Sequence, residues 1–517
     1  MKWRNLPACL ALIITSSAAA PTSVNNDDSD LQSITNTFPR FSNSTSPFPI
    51  RNNTFPIFNG KKETSHTYIV ILHHDEQRLW PEIFIQLGFN VDPVESKTKF
   101  AIRAIINSTH HVEDEDHGHG TYKVHNGPTI TTFGTSIRMF TMDMPESHAQ
   151  AIEKHDNIVA VSKDTPMYGG LYSIDDHDGP TPSIHTTTTE SVMLPVDIKS
   201  NGLGKRQSGQ RPMGSFRKQN GAPWNLARIS QPNRINNRAG MNGLNYYYTY
   251  EPPAGKGVDV YMLDTGINVR RRDFQGRAQM IFSSFGPNVM YDNHGHGTHT
   301  SGTVGSATYG VAKGVKLYGL KVLDAKNSGQ TNDLIAGLER ALTSHNRRKS
   351  QSDFVGSVIS MSVGNYPNNN ALYNVLQRIT NSGMHVSISA MNDHRDACAV
   401  YPGAYERTLP IFNVGATDIN DERASFSNYG RCITIHGPGV QILSTNANNN
   451  VGSRVMSGTS MACPAVSGLI AVELAKNPQL RLDPKGMRQH ILKMSLAGKL
   501  RGTSGGDTLM YNGVSGE

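Results

Sequence analysis

Along the chain, the spacing of apolar residues marks two patterned stretches separated by unpatterned ones. Residues 21–65 are rich in Ser, Thr, Asn, Asp and Pro and show neither helical nor strand periodicity, the signature of a disordered segment. From His66 the texture changes. "TYIVILH" (Thr67–His73) reads as a strand, and "EQRLWPEIFIQLGF" (Glu76–Phe89) has helix-like apolar spacing interrupted by Pro81. Gly134–Met144 alternates as a strand, and Pro145–Asp164 reads as a helix followed by a strand. These runs predict a small α+β domain over residues 66–168. The insert "HHVEDEDHGHG" (His110–Gly120) mixes histidines and acids too irregularly for a ligand set and reads as a polar loop. Residues 169–220 are poor in apolar residues and read as a linker.

After Gly221 the pattern becomes an alternation. Gly257–Asp264, Val315–Leu323, Val355–Val363 and Met384–Met391 are β-rich, while Thr331–Asn346 spaces its apolar residues as an amphipathic helix. Alternation of this kind predicts an α/β fold over residues 221–517: a doubly wound, mostly parallel sheet with helices on both faces. In such sheets ligands and reacting groups gather at the carboxyl ends of the strands.

Composition refines this picture in three places. The opening "MKWRNLPACLALIITSSAAAPT" has a basic end, a short apolar centre and the small residues Ala18–Ala20, which together read as a secretory signal over residues 1–20. Its apolar centre is too short to span a bilayer, and no tail expected of a lipid anchor follows, so no membrane anchor is expected. Without Cys9, three cysteines remain (Cys398, Cys432 and Cys463), which suits one disulfide and one free thiol in an oxidising compartment. Asn43, Asn52 and Asn107 sit in N-x-[ST] sequons and are candidate glycosylation sites. The pair Lys205–Arg206, inside the linker, is either a cut site for a processing protease or a solvated pair. A net charge of +7 is small over 517 residues, and the basic runs lack interleaved aromatics, so nucleic acid is not an expected partner.

Three glycine-rich segments carry the candidate chemistry. "LDTGI" ends a buried strand at Asp264; "HGHGTHTSGTVGS" begins a helix of small residues near His296; "MSGTSMACPAVSGLIAVELA" puts Ser460 at the opening of a long apolar helix, with Pro464 expected in its first turn. A hydroxyl is a poor nucleophile at neutral pH. It needs an imidazole to take its proton, and the imidazole needs a carboxylate to fix its tautomer and stabilise its cation. A zinc site built on the crowded histidines lacks a third ligand, and a metallohydrolase is therefore disfavoured.

"DTGI", "HGHGTHTSGT" and "SGTSMACP", in this order, resemble the three catalytic segments of subtilisin-like serine proteases. Tyr309–Gln330, "FSNYG" (Phe426–Gly430) and "GPGVQILST" (Gly437–Thr445) extend the resemblance over residues 221–512, nearest the proteinase K and cerevisin branch of fungal enzymes. Residues 66–168 resemble, more weakly, the inhibitory propeptide of that family. The resemblance implies a serine endopeptidase made as a zymogen, acting on proteins or peptides, held by its own propeptide and expected to be monomeric. Its place would be outside the cell, in the wall or, alternatively, in the vacuole. By the same carry-over Asp264 orients the imidazole, His296 is general base and then acid, Ser460 attacks the scissile carbonyl, and His299 packs structurally. Asn392, in "SAMND", would donate its amide to the oxyanion; Ser362, Val363 and Gly364 would pair with substrate backbone by edge addition. The resemblance also pairs Cys398 with Cys432, leaving Cys463 as a buried small hydrophobe.

The chain departs from the family in three places. Met391 stands where relatives carry the glycine bordering the primary specificity pocket, which a Met side chain would narrow. Ala465 replaces a usual His. Thr434 replaces an acidic calcium ligand, which puts that calcium site in doubt; no other cofactor is expected. A non-catalytic wall or binding protein that keeps the fold is the competing reading, motivated by these departures.

Overall fold

The computed structural model describes residues 64–172 and 216–514, apart from residues 94–119, 125–128 and a few isolated positions. The signal segment, the three sequons, the His-rich part of the 110–120 insert and Lys205–Arg206 lie outside the described residues.

The small domain is an antiparallel sheet with two helices. In chain order it comprises β1 (Ser65–Leu72), α1 (Trp80–Gln86), β2 (Val91–Pro93), β3 (Gly120–Val124), β4 (Thr129–Phe133), β5 (Met139–Pro145), α2 (Glu146–Glu153) and β6 (Ile158–Lys163). The strands lie in the order β2-β3-β4-β5-β1-β6. Strand β1 reads as an unbroken apolar run because both of its faces are covered. Tyr68, Val70 and Leu72 pack with Phe84, Phe140 and Met142, whereas Ile69 and Ile71 join a second core shared with the large domain. Pro81 does not interrupt α1 as its position suggested. It is the second residue of the helix, where a missing N–H costs no internal hydrogen bond.

Next come β7 (Pro166–Gly169), β8 (Arg217–Ala222), α3 (Trp224–Ile229), β9 (Tyr246–Tyr250), β10 (Val258–Asp264) and β11 (Ala278–Ser283). They are followed by α4 (His296–Gly305), β12 (Lys316–Lys321), β13 (Ser328–Gln330), α5 (Thr331–Arg348), β14 (Gly356–Met361), β15 (Val363–Gly364) and α6 (Asn370–Asn381). The chain closes with β16 (His385–Ser389), β17 (Phe412–Thr417), β18 (Ile435–Pro438), β19 (Ile442–Thr445), β20 (Ser453–Met456), α7 (Thr459–Lys476) and α8 (Pro484–Met494). Seven of these strands form a sheet in the order β11-β12-β10-β14-β16-β17-β18, with every neighbouring pair parallel.

Helices cover both faces, as the alternation predicted. On one face Val304 of α4 and Val466, Leu469 and Ile470 of α7 pack on Val258, Val260, Met262 and Val358. On the other, Leu334, Leu338 and Leu342 of α5 and Leu372, Val375 and Ile379 of α6 pack on Tyr261, Leu263, Ile359 and Met361. Each fully buried aliphatic side chain stabilises the sheet by about 1.5–3 kcal/mol relative to exposure. Helix α7 is buried from Thr459 to Leu474, which explains why its sequence is apolar on all sides.

Two expectations change here. Residues 169–220 are not a linker throughout: β7 extends to Gly169, residues 170–172 continue as ordered chain, and Arg217–Ala222 pairs with Tyr246–Tyr250. Pro464 is also not in the first turn of α7. It is the sixth residue, and its missing N–H leaves the carbonyl of Ser460 without an intrahelical partner. The hydroxyl of Ser362 donates to that carbonyl at 3.0 Å, which is why the proline is accommodated.

The small domain docks on the N-terminal ends of α5 and α6. Asp164 Oδ1 accepts from the N–H of Asn332 (2.9 Å), Thr165 O accepts from Thr331, and Ser162 Oγ accepts from the N–H of Ala371 (3.1 Å). First-turn N–H groups have no intrahelical acceptor, so the small domain supplies one.

Candidate active site

Asp264 is the last residue of β10 and His296 the first of α4, so the parallel sheet delivers both to one end of the fold. Asp264 Oδ1 lies 2.7 Å from His296 Nδ1 and also accepts from the N–H of Thr265 (2.7 Å); Oδ2 accepts from the hydroxyl of Thr300 (3.0 Å). Burial alone pushes the Asp264 carboxyl up. The neighbouring His296, by charge and hydrogen bond, and the donors Thr265 and Thr300 more than offset this and hold it below the usual carboxylate range. An ionised acceptor at Nδ1 places the ring proton there and leaves Nε2 as the basic atom. Nε2 is buried and makes no hydrogen bond among the described residues. The glycine after His296 is required by space, since a Cβ at Gly297 would stand 2.2 Å from the carbonyl oxygen of Gly266.

The neighbouring histidines do other things. His299 Nε2 faces the carbonyls of Ile442 (3.0 Å) and Arg454 (3.1 Å), and burial lowers its pKa to about 3, so it is a neutral packing residue. Burial also lowers His294. Sequence reasoning overlooked Asp292. Its Oδ1 accepts from Thr265 Oγ1 and from the N–H groups of His294 and Gly295, while its Oδ2 accepts from the N–H and hydroxyl of Thr298. Asp292 thereby ties the Asp264 turn to the start of α4. The available signal was an Asp close upstream of a helix opening; it stands three residues before the N-cap, Gly295, and yet accepts from the N–H of Thr298 as a capping side chain would.

Ser460 is the second residue of α7. Its Oγ donates to the carbonyl of Ser362 at 3.4 Å and makes no hydrogen bond to His296. Asn392 faces it. Asn392 Oδ1 accepts from both the N–H (2.9 Å) and the hydroxyl (3.0 Å) of Thr459, which fixes the amide so that Nδ2 points into the cleft.

The cleft is filled by the chain itself. Strand β7 lies between β13 and β15, pairing antiparallel with both: Ser328↔Tyr168 and Gln330↔Pro166 on one side, Val363↔Gly169 and Gly364↔Tyr168 on the other. Met167 is buried in the core and Tyr168 is exposed. The N–H of Gly170 donates to Ser362 O (2.9 Å), and its carbonyl oxygen accepts from Asn392 Nδ2 (2.6 Å) and from the N–H of Ser460 (3.2 Å). Beyond it, the N–H of Tyr172 donates to Ser457 O (2.9 Å), and the Tyr172 ring stacks on Phe426. The structure therefore brings Asp264 to His296, and Ser460, Asn392 and Ser362–Gly364 to one extended segment whose Gly170 carbonyl is held by two donors.

The remaining expected positions are placed as follows. Cys398 and Cys432 form a disulfide, with Cα atoms 5.1 Å apart. Cys463 is free and buried, and burial pushes its thiol up to about 11, so it stays protonated. Ala465 lies on α7 and is buried in the core. Thr434 accepts from the N–H of Asn413 (3.1 Å) and donates to Glu406 (3.3 Å). Met391 has φ +70°, in the left-handed region that favours glycine, and its side chain lies over Gly364.

Residues 255–512 match the subtilase family (Peptidase S8). Alkaline protease 2 of Aspergillus fumigatus is 39% identical over 292 residues, covering 54% of this chain and 57% of that protein. The subtilase-type proteinase psp3 of Schizosaccharomyces pombe is 37% identical over 292 residues, covering 56% of this chain and 62% of that protein. The chain thus spans less than two thirds of the length of these curated relatives. The crystal structure of a cold adapted subtilisin-like serine proteinase matches with a TM-score of 0.50 and 34% identity, covering 56% of this chain and 98% of that one. With the parallel sheet, the Asp264–His296 pair and the Ser460 helix opening in the same region, the chain belongs to the subtilase family.

Proposed function

We propose that the chain is a serine endopeptidase synthesised as a secreted zymogen, with Asp264, His296 and Ser460 as its catalytic groups and the small domain as its inhibitor. The observation that carries this reading is the Gly170 carbonyl, bracketed by Asn392 Nδ2 and the N–H of Ser460 with the Ser460 hydroxyl beside it. Two donors on one carbonyl oxygen are the arrangement that stabilises a developing oxyanion.

The chemistry follows from these positions. The Ser460 side chain turns from the Ser362 carbonyl towards His296, whose Nε2 takes the hydroxyl proton as Oγ bonds to the scissile carbonyl carbon. Negative charge on the carbonyl oxygen is held by Asn392 and the Ser460 N–H, and the ionised Asp264 stabilises the imidazolium. Collapse breaks the C–N bond, and His296 returns the proton to the leaving amine. Water, activated by the same imidazole, then hydrolyses the acyl ester and frees the carboxylate. Strands β13 and β15 hold extended peptides through backbone bonds, so the substrates are unfolded or flexible protein segments. While β7 occupies that slot no other segment can enter, which supports the zymogen reading.

Peptide hydrolysis by the processed chain, compared with a Ser460→Ala variant, tests the proposal. Loss of nearly all activity in the variant is expected; equal rates would refute it.

A further inference from the structure

We infer that Met391 fills the primary specificity pocket and restricts this enzyme to cleavage after glycine, with Gly170–Leu171 as the bond it cuts in its own chain. The inference rests on the peptidase reading above and adds the substrate class.

The residue whose carbonyl sits between Asn392 and Ser460 N–H is the one whose side chain must enter the primary pocket. In this chain that residue is Gly170, and a Cβ added there would meet Ser460 Oγ at 2.8 Å, Ser389 Oγ at 3.0 Å and Met391 Sδ at 3.1 Å. Even an alanine thus has no room without displacing the nucleophile or the thioether, and larger residues need the whole space that Met391 takes. Met391 is not free to withdraw into the wall of the cleft behind it. A Cβ at Gly364 would stand 2.5 Å from Met391 Cγ and 2.7 Å from Sδ, so the side chain is laid flat on the strand that pairs with the substrate. Ser389 Oγ reaches Met391 Sδ at 3.7 Å, a weak contact that favours the same placement. The backbone adds a second, independent sign. Met391 adopts φ +70°, a conformation that is costly for a side-chain-bearing residue and that persists where the surroundings impose it.

The neighbouring position tells the same story. A Cβ at Gly169 would stand 2.2 Å from both amide atoms of Asn327, itself at φ +60°. The chain meets both constrictions with consecutive glycines, while Met167 and Tyr172 supply the side chains that the cleft does accommodate, in the core and against Phe426.

The test is self-processing of the full chain, read by gel and N-terminal sequencing. It uses wild type, Ser460→Ala, Gly170→Leu, Met391→Gly and the Gly170→Leu/Met391→Gly double variant. The wild-type product is expected to begin at Leu171, Ser460→Ala to stay intact, Gly170→Leu to be cut at least on the order of a hundredfold more slowly, and the double variant to recover. Recovery excludes misfolding as the cause of the Gly170→Leu defect, and removing a side chain at positive φ relieves strain in the variant. Processed enzyme is then given peptides that differ only at the residue before the scissile bond: glycine is expected to be preferred on the order of a hundredfold over leucine, and Met391→Gly to abolish that preference. Gly170→Leu processed at the wild-type rate, or wild-type enzyme cutting after leucine as fast as after glycine, overturns the inference and leaves the peptidase reading intact. Cleavage of Ser460→Ala at wild-type rate, or absence of any processing and peptide hydrolysis in wild type, overturns the peptidase reading and the inference with it.

Discussion

Replacing Asn392 with alanine isolates the electrostatic part of the proposed mechanism. Its Nδ2 stands 2.6 Å from the Gly170 carbonyl oxygen, and its Oδ1 is fixed by two donors from Thr459, so the amide is set before substrate arrives. A pre-set donor costs no reorganisation when charge develops, and removing one such donor raises the barrier by about 2.7–4 kcal/mol. The expected loss is on the order of 10²–10³ in kcat. Because the donor gains strength chiefly as the oxygen becomes anionic, KM is expected to move little. Asn392→Asp sharpens the test. It keeps the size of the side chain but puts a carboxylate oxygen where the N–H stood, so its loss is expected to exceed that of Asn392→Ala. Steady-state kinetics on a peptide substrate, after removal of the small domain, reads both variants. A kcat within threefold of wild type, or a loss carried entirely by KM, would refute the oxyanion role.

Three further outcomes are expected. Asp264→Asn removes the charge that fixes the His296 tautomer and is expected to lower kcat by on the order of 10⁴, with the melting temperature measured alongside to show that the fold persists. Arg228 is fully buried against Asp421, with hydrogen bonds of 2.6 and 3.1 Å, so Arg228→Ala strands a buried carboxylate and is expected to cost about 3–5 kcal/mol in denaturant unfolding. Burial raises the Asp164 carboxyl to about 6, against the opposing N–H donors of Asn332 and its neighbours. A carboxyl whose docked pKa lies above its free value weakens docking when ionised: the cost is absent below its ordinary pKa, grows as pH rises, and is complete above about 6. Inhibition by the small domain is therefore expected to be about tenfold tighter at pH 5 than at pH 7.5, and Asp164→Asn to flatten that difference in an inhibition assay.

Much of this was legible in the sequence because its periodicities are undisguised. Strand β10 reads as a buried run ending on Asp264, and α5 shows its apolar face at Leu334, Leu338 and Leu342. Strands β17 and β18 escaped, being short, with glycine or proline inside and no alternation to betray them. The Asp264, His296 and Ser460 segments stood out through local glycine patterns, whereas Asn392 was named only through the resemblance of "SAMND" to the family's strand end. The occupancy of the cleft did not. Gly169 and Gly170 fall where apolar pattern ceases, and their backbone bonds to Ser362, Asn327 and Ser460 depend on no side chain that a sequence displays. Asp292 was missed for a related reason: its five acceptor contacts all go to backbone N–H groups and hydroxyls within the two glycine-rich segments beside it, and such contacts leave no periodicity in the sequence. Pro464 was misplaced because the compensating donor, Ser362, comes from about a hundred residues upstream.

Catalysis by the proposed route depends on the Ser460 hydroxyl being made nucleophilic by His296. Labelling the processed chain with a fluorophosphonate and locating the adduct by peptide mass spectrometry tests this directly. A single adduct on Ser460, lost in His296→Ala, is the expected result. No adduct, or one on another residue while Ser460 stays unmodified, would contradict it.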